Sequence, residues 1–188
     1  MSFSGMVKEE LSRQTGTARH CRIAELAAIL CFCAKVEHFP QGEKLKIQTE
    51  NEAVARKCFT LLQKTFNIEK EIFVRENSHL KRLKIYVIEI SDPEEIQVIL
   101  QGTKLVTCRE PHDSLILENL LVVQQNCCKR AYIRGAFLSS GSISDPEKGY
   151  HLRLFIRMRR KQNSYRRLSS AFQWMPKLCS ERNHMWSM

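Results

Sequence analysis

Two stretches of this sequence repeat each other at one constant offset, and this duplication constrains the fold more than any other feature. The matched positions are Ala24 and Ala28 with Ala131 and Gly135, residues 34–36 with residues 141–143, and residues 45–47 with residues 152–154. Each copy contains a predicted helix followed by an alternating strand. A period of this length indicates a duplicated supersecondary unit, because the repeats of solenoid proteins are shorter.

The predicted helix of each copy carries two small residues four positions apart. Residues four apart share one helix face, so Ala24 and Ala28 form a smooth patch, and Ala131 with Gly135 form its counterpart. Two such helices can approach toward the lower end of the usual separation of about 8–10 Å. Alanine and glycine also occur in helices without this role. The shared offset favours a pseudo-dimer that is hinged on this contact.

The hydrophobic pattern predicts an α+β fold. The predicted helices cover residues 5–16, 19–34, 52–66, 93–102, 114–125 and 127–138, and the predicted strands cover residues 44–48, 71–75, 83–90 and 150–156. Ser4, Asn51 and Asp92 are the expected N-caps of three of these helices. A turn is expected at residues 141–146, where Gly141 begins a Gly/Ser/Asp/Pro-rich segment.

Charge and composition divide the chain into unlike parts. The 188 residues carry a net charge of +10, of which +7 lies in residues 157–188 together with both tryptophans. The body is only mildly basic, which weakens an inference of a polyanionic partner from net charge alone. The predicted segments are an N-terminal helical segment (1–20), a first half (21–105), a linker helix (106–126), the start of a second half (127–157) and an atypical basic tail (158–188).

Eight cysteines raise the possibilities of disulfides and of zinc. Reduced thiols are the default in a cytoplasmic protein, and a structural zinc site needs two paired sets of ligands at short spacing. Cys31 and Cys33 are separated by one residue, Cys127 and Cys128 are adjacent, and His38 is a single candidate nearby. We therefore expect mostly buried thiols, with no metal site, no catalytic cysteine and no cofactor.

Neither a membrane span nor a secretory signal is expected. No window approaches the run of about 18 apolar residues that crosses a bilayer, and Lys8, Glu9 and Glu10 occupy the place of the apolar stretch of a signal peptide. The sequence therefore predicts a cytoplasmic protein.

Residues 132–143 resemble the signature of the LAGLIDADG homing endonucleases. The resemblance implies that the signature helices of two halves pack together, and that an acidic residue ending each helix holds a divalent metal at the scissile phosphate. A pair of such hard oxygen ligands suits Mg²⁺. The acidic positions here are Cys33 and Ser140, and neither can replace a carboxylate. The resemblance therefore predicts the fold, as a pseudo-twofold duplication with an incomplete second half, without the nuclease chemistry.

Residues 2 to about 157 resemble the WhiA family, most specifically across residues 127–138 and 141–152. This resemblance implies a role in cell division, chromosome segregation and sporulation control, and a further C-terminal helix-turn-helix domain that supplies much of the specific DNA contact. The basic segment after Ile156 departs from the capped helix that the repeat predicts. We therefore expect a tail that is truncated, frame-shifted or disordered, and DNA binding that is weak or lost without the C-terminal domain.

The candidate contacts to double-stranded DNA are basic residues on or before the strands, since Lys and Arg bind phosphates. They are Lys44, Lys46, Lys81, Arg82, Lys84 and Arg153. Solvated strand faces and edges also carry charge, so this set has a purely structural alternative. The favoured function is a non-enzymatic, nucleoid-associated DNA-binding regulator. The alternatives are an active metal-dependent endonuclease and a protein-interaction scaffold without DNA binding.

Overall fold

The computed structural model describes residues 2–77, 83–108, 114–145, 149, 151–155 and 185–187. The helices are α1 (Phe3–Arg13), α2 (Arg19–Cys33), α3 (Glu52–Phe66), α4 (Pro93–Thr103) and α5 (Asn126–Ser140), with a 3₁₀ turn at Leu121–Val123. The strands are β1 (Ala34–Phe39), β2 (Gly42–Thr49), β3 (Ile72–Asn77), β4 (Leu83–Ile90), β5 (Leu105–Cys108), β6 (Ser114–Leu117), β7 (Gly141–Ile143), β8 (Leu152–Phe155) and β9 (Met185–Ser187). These elements confirm the predicted α+β class.

The first half forms a six-stranded antiparallel sheet in the order β3-β4-β2-β1-β6-β5. Strict alternation in β2 turns Leu45 and Ile47 to one face, where both are buried. Leu45 lies opposite Val36 of β1 and Ile90 of β4, so one continuous apolar surface crosses three strands. Apolar residues of α2, α3 and α4 cover this surface, while none of the described helices packs on the other face of the sheet.

The second half repeats the beginning of the first. Strand β7 follows α5 directly, without an intervening residue, as β1 follows α2. Gly141 pairs with Leu154 across β7 and β8, and Ala34 pairs with Ile47 across β1 and β2, so both partners of the pair shift by the offset of the sequence repeat. Strand β9 extends this second sheet beside β8. The duplication is confirmed down to the strand register.

The two halves meet where α2 packs against α5, as the small-residue pattern predicts. Ala24, Ala28 and Ala131 are buried in this contact. A Cβ on Gly135 would overlap the carbonyl oxygen of Glu25 and would lie 3.0 Å from the Cβ of Ala28. Glycine is therefore required at this position because the backbones approach too closely for a side chain.

A buried ion triad joins the same helices. The Glu25 carboxylate is fully buried and accepts hydrogen bonds from Arg134 of α5, at 2.9 Å from Nε and 2.7 Å from Nη2. Lys57 Nζ of α3 lies 3.3 Å from the same carboxylate and donates to the carbonyl oxygen of Gln14. Burial lowers the pKa of Lys57, while the hydrogen bond to Glu25 raises the pKa of Arg134.

The prediction of a linker helix within residues 106–126 is wrong. Strands β5 and β6 and a 3₁₀ turn occupy this region instead, and β6 pairs with β1 to extend the first sheet. Leu115 is buried in the core of the first half. A short apolar run fits a strand or one helical turn equally well by its periodicity, and here pairing with the exposed edge of β1 favours the strand.

Several predicted boundaries also change. Helix α1 is capped by Ser2, whose side chain accepts from the amide of Gly5, and Ser4 instead accepts from the amide of Ile143. Strand β1 was not predicted. Gly141 begins strand β7 rather than a turn, and a side chain there would collide with Phe137 of the preceding helical turn. The caps of α3 and α4 at Asn51 and Asp92 are confirmed.

Candidate nucleic-acid interface

The open face of the first sheet carries two of the predicted DNA contacts, Lys44 and Lys46. They alternate along β2 with the buried Leu45 and Ile47, so both point away from the helices. We use "open face" for the side of the first sheet that lies away from the described helices. The pattern of β2 alone was enough to predict their orientation.

Two further cations of the open face were missed by sequence reasoning. Lys35 of β1 lies directly opposite Lys46, and Arg75 of β3 reaches the carboxylate of Glu89, which flanks Lys46 on β4. Lys35 falls between the buried residues Ala34 and Val36, which is the same alternation that exposes Lys46. Prediction of β1 as a strand would have identified Lys35. Arg75 required the register of β3 against β4.

Two carboxylates hold these four cations. Glu37 Oε1 lies 2.6 Å from Lys35 Nζ and 3.5 Å from Lys46 Nζ. Glu89 lies 3.2 Å from Arg75 Nη2 and 3.9 Å from Lys44 Nζ. The hydrogen bond from Lys35 lowers the pKa of the Glu37 carboxyl most, and the charges of Lys35 and then Lys46 lower it further, although partial burial opposes this shift. Each carboxylate is shared by two cations, so the cluster keeps an excess of positive charge.

Aromatic side chains accompany this charge. Phe39 and Phe73 are 49% and 48% exposed and belong to the open face by strand alternation. The Lys44 ammonium lies 5.7 Å from the centre of the Phe39 ring, within the range of a cation–π contact. The open face therefore combines cations with exposed ring surface.

Lys84 does not join this cluster. It shares a strand face with Tyr86 and Ile88 of β4, and Ile88 is buried beneath the helices. The Tyr86 hydroxyl donates to Glu52 of α3 at 3.3 Å, which places this face on the helical side of the sheet. The predicted contacts Lys81 and Arg82 lie outside the described residues.

Arg153 is the counterpart of Lys46 in the second half. It lies opposite Ser142 on β7, as Lys46 lies opposite Lys35 on β1, and it is exposed. The neighbouring Leu152 and Leu154 match Leu45 and Ile47 by the offset of the repeat. The duplication thus gives each sheet a basic residue at the same position of its second strand.

The acidic positions of the signature lie at the ends of α2 and α5. Burial raises the pKa of the Cys33 thiol to about 12. The Ser140 hydroxyl donates to the carbonyl oxygen of Ala136 at 3.0 Å. Lys8 of α1 lies beside Cys33 and over the ring of Phe137, with 5.8 Å from its Nζ to the ring centre. A partly buried thiol, a bonded hydroxyl and a nearby ammonium do not make a ligand set for a hard divalent cation.

Helix α1 also borders a groove of about 970 Å³ that reaches from the end of α2 to the start of α3. Three basic and three acidic residues line it, namely Lys8, Arg13, Arg56, Glu9, Glu50 and Glu52. Several of these already pair with each other, as Glu9 does with Arg13 and Arg56. The balance of charge in this groove gives no preference for an anion or for a cation.

Paired signature helices with a sheet beside each define a LAGLIDADG-like protein, and solved structures agree. The chain is similar to the homing endonuclease I-WcaI bound to its DNA recognition sequence (TM-score 0.57, 12% identity, 97% of this chain and 81% of that chain). It is also similar to full-length DUF199/WhiA from Thermatoga maritima (TM-score 0.62, 18% identity, 100% of this chain and 56% of that chain).

The chain belongs to the WhiA family. Residues 19–106 match the WhiA N-terminal LAGLIDADG-like domain, and residues 129–186 match the WhiA LAGLIDADG-like domain. Among curated relatives, a probable cell division protein WhiA of Lachnoclostridium phytofermentans is 47% identical over 80% of this chain and 49% of its own length. Its namesake in Alkaliphilus oremlandii is 36% identical over 97% of this chain and 58% of its own length.

The chain spans about half the length of the curated relatives it matches. The family match reaches residue 186, so the resemblance does not end near residue 157 as the sequence analysis expected. Within the part of the chain that the structure describes, no helix has both the length and the apolar character required to cross a bilayer.

Proposed function

We propose that the chain is a non-enzymatic DNA-binding regulator that acts in cell division, chromosome segregation and sporulation control. The observation that carries this proposal is the excess of cations on the open face of the first sheet, repeated by Arg153 on the second. The similar homing endonuclease, whose solved structure contains its DNA recognition sequence, supports a nucleic-acid role for this fold.

The chemistry of the open face favours phosphate contact over base recognition. Arg75 is exposed and Lys44 is partly exposed, and a phosphate can take the place of the Glu89 carboxylate that they share. Charged contacts of this kind position a protein on the duplex but carry no sequence information of their own. We therefore expect binding that depends strongly on salt and weakly on sequence.

The absence of hard ligands at the signature positions supports the non-enzymatic part of the proposal. Cys33 and Ser140 supply a thiol and a hydroxyl where the nuclease family uses carboxylates. Incubation of supercoiled plasmid with the protein and Mg²⁺ should therefore produce no nicked product. Nicking that requires Mg²⁺ and disappears in Cys33→Ala would instead support the endonuclease alternative.

Salt-titrated binding of a labelled duplex tests the DNA contact. For the unmodified chain, the logarithm of the association constant should fall with the logarithm of salt concentration by about 0.9 per phosphate contact. The double variant Lys44→Gln/Arg75→Gln removes two open-face cations, so this slope should decrease by about 2. The matched control is Lys64→Gln/Lys84→Gln, which removes two exposed cations from the helical side and should leave the slope unchanged.

Two outcomes would contradict this use of the open face. An equal loss in both double variants would indicate general attraction to the positive charge of the chain. Salt-insensitive binding, or none, would favour the scaffold alternative, which the exposed Phe39 and Phe73 rings also suit. In cells, the proposal predicts association with the nucleoid that weakens in the Lys44→Gln/Arg75→Gln variant.

A further inference from the structure

A cluster of soft metal ligands lies at the opposite end of the signature helices from Cys33 and Ser140. His20 and Cys21 are in the first turn of α2, and Cys127 and Cys128 are in the first turn of α5. The offset of the repeat carries His20 onto Cys127 and Cys21 onto Cys128, so each half contributes one adjacent pair from the same helical position. The packing of α2 on α5 brings the two pairs together.

The four ligand atoms have the spacing of one coordination sphere. His20 Nδ1 lies 3.1 Å from the sulfur of Cys128, 3.5 Å from that of Cys21 and 4.0 Å from that of Cys127, and all four ligand atoms lie within 4.8 Å of one another. Zinc–sulfur bonds of about 2.3 Å and zinc–nitrogen bonds of about 2.0 Å at tetrahedral angles place nitrogen about 3.5 Å from each sulfur. The observed distances bracket that value.

The surroundings of the cluster compensate part of the negative charge that thiolate ligands bring. The first turns of α2 and α5 direct their positive dipole ends toward it, and the Arg134 guanidinium interacts with Cys21. A bound divalent cation balances the rest.

We propose that His20, Cys21, Cys127 and Cys128 form a tetrahedral site for a zinc-like divalent cation that joins the first turns of the two signature helices. Three sulfur ligands and one imidazole suit zinc rather than magnesium or calcium. Four protein ligands leave no open position, so the role is structural. His20 and Cys127 are exposed, which gives an ion access from solvent, while Cys128 is buried in the contact between the halves.

The separation of the two ligand pairs explains why sequence reasoning missed this site. Cys127 and Cys128 were considered without a partner, because no second pair lies near them in the chain. The internal duplication is the signal that could have identified His20 and Cys21. Since the cluster is at the N-terminal ends of the helices, it is independent of the open face and of the proposed DNA contact.

Metal analysis of the full chain, purified with a phosphine reductant, tests the proposal. We expect about one equivalent of zinc per chain after gel filtration, and intense visible absorption of tetrahedral cobalt–thiolate type when Co²⁺ replaces it. The variants Cys127→Ser and His20→Gln change exposed ligands and should each weaken zinc binding by at least about 100-fold. Added zinc should also raise the melting temperature of the unmodified chain by about 5 °C or more, and should not do so in these variants.

The matched control is Cys31→Ser/Cys33→Ser, which removes two thiols from the same helix. Cys31 is ten residues from Cys21, about 15 Å along α2, so this variant should keep its zinc. Unchanged zinc binding in both ligand variants would overturn the proposal. A reduced chain that binds neither zinc nor Co²⁺ would overturn it too, and so would a disulfide within the cluster that persists under reducing conditions, detected by intact mass.

Discussion

Among the single residues of the described structure, Glu25 has the most consequence for the contact between the halves. Its carboxylate is fully buried in the helix pair, and two cations from different helices compensate it. Loss of one partner of a buried ion pair is costly, because the remaining charge stays away from water. The stability of the contact therefore depends on Arg134 more than on an ordinary surface cation.

Replacement of Arg134 by methionine should lower the free energy of unfolding by about 3 kcal/mol. This value is near the lower end of the range for loss of one partner of a buried ion pair, because Lys57 still faces Glu25. Urea denaturation followed by circular dichroism measures the change. Arg130→Met is the control, since Arg130 is exposed one turn earlier on the same helix and should cost less than about 0.5 kcal/mol. Similar losses in the two variants would show that the triad contributes little.

The Glu37 carboxyl should titrate below its ordinary pKa in the folded chain, and its carboxyl carbon resonance followed by NMR gives this value directly. Lys35→Gln should raise the pKa more than Lys46→Gln, because the hydrogen bond from Lys35 is the larger cause of the shift. A depressed folded-state pKa contributes stability above the unfolded-chain value, and this contribution is lost as the pH falls through the folded-state value. The reverse order of the two variants would contradict this assignment.

At the scale of elements, the closest approach of α2 and α5 depends on a glycine. Gly135→Ala should destabilise the protein by about 1–3 kcal/mol, although alanine ordinarily favours a helix, because the new methyl group meets the Glu25 backbone. Thermal or urea unfolding measures this loss. Gly102→Ala is the control, since the atoms facing Gly102 belong to the Phe66 ring, which can rotate away. A smaller loss at Gly135 than at Gly102 would contradict the predicted rigidity of the contact.

Elements with a complete local signal were predicted well from the sequence. Helix α3 has its Asn51 cap and an apolar stripe, and strand β4 has a long alternating run, so their bounds were predicted closely. The strands β1, β5 and β6 are short or follow a helix directly, and they depend on pairing with distant segments. Their formation is a tertiary effect that periodicity cannot show.

For the whole molecule, the shared contact between α2 and α5 should make the described parts of both halves unfold together. Ring resonances of Tyr86 on β4 and Tyr132 on α5 report on the two halves and should disappear at the same urea concentration. Gly135→Val should separate the two transitions by forcing the helices apart. Distinct midpoints in the unmodified chain would show that the halves are independent units.

The arrangement of strands in the whole molecule determines how much of the candidate interface could be predicted. Lys44, Lys46 and Arg153 follow from alternation within their own strands, and the structure puts Lys46 and Arg153 at equivalent places of the duplication. The separation of Lys84 from this group, and the addition of Lys35 and Arg75, depend on which strands are neighbours. A one-dimensional pattern therefore identifies basic positions but does not assign them to one surface.

The ion pair of Glu25 and Arg134 favours the contact of α2 with α5 over a contact between two copies of the same helix. By the offset of the repeat, Tyr132 is the counterpart of Glu25, and Ala27 is the counterpart of Arg134. Two copies of α2 brought together between molecules would bury two carboxylates without a guanidinium, and two copies of α5 would bring together two guanidiniums without a carboxylate. The symmetry inherited from a duplicated ancestor is thus broken at its axis, and homotypic self-association is disfavoured.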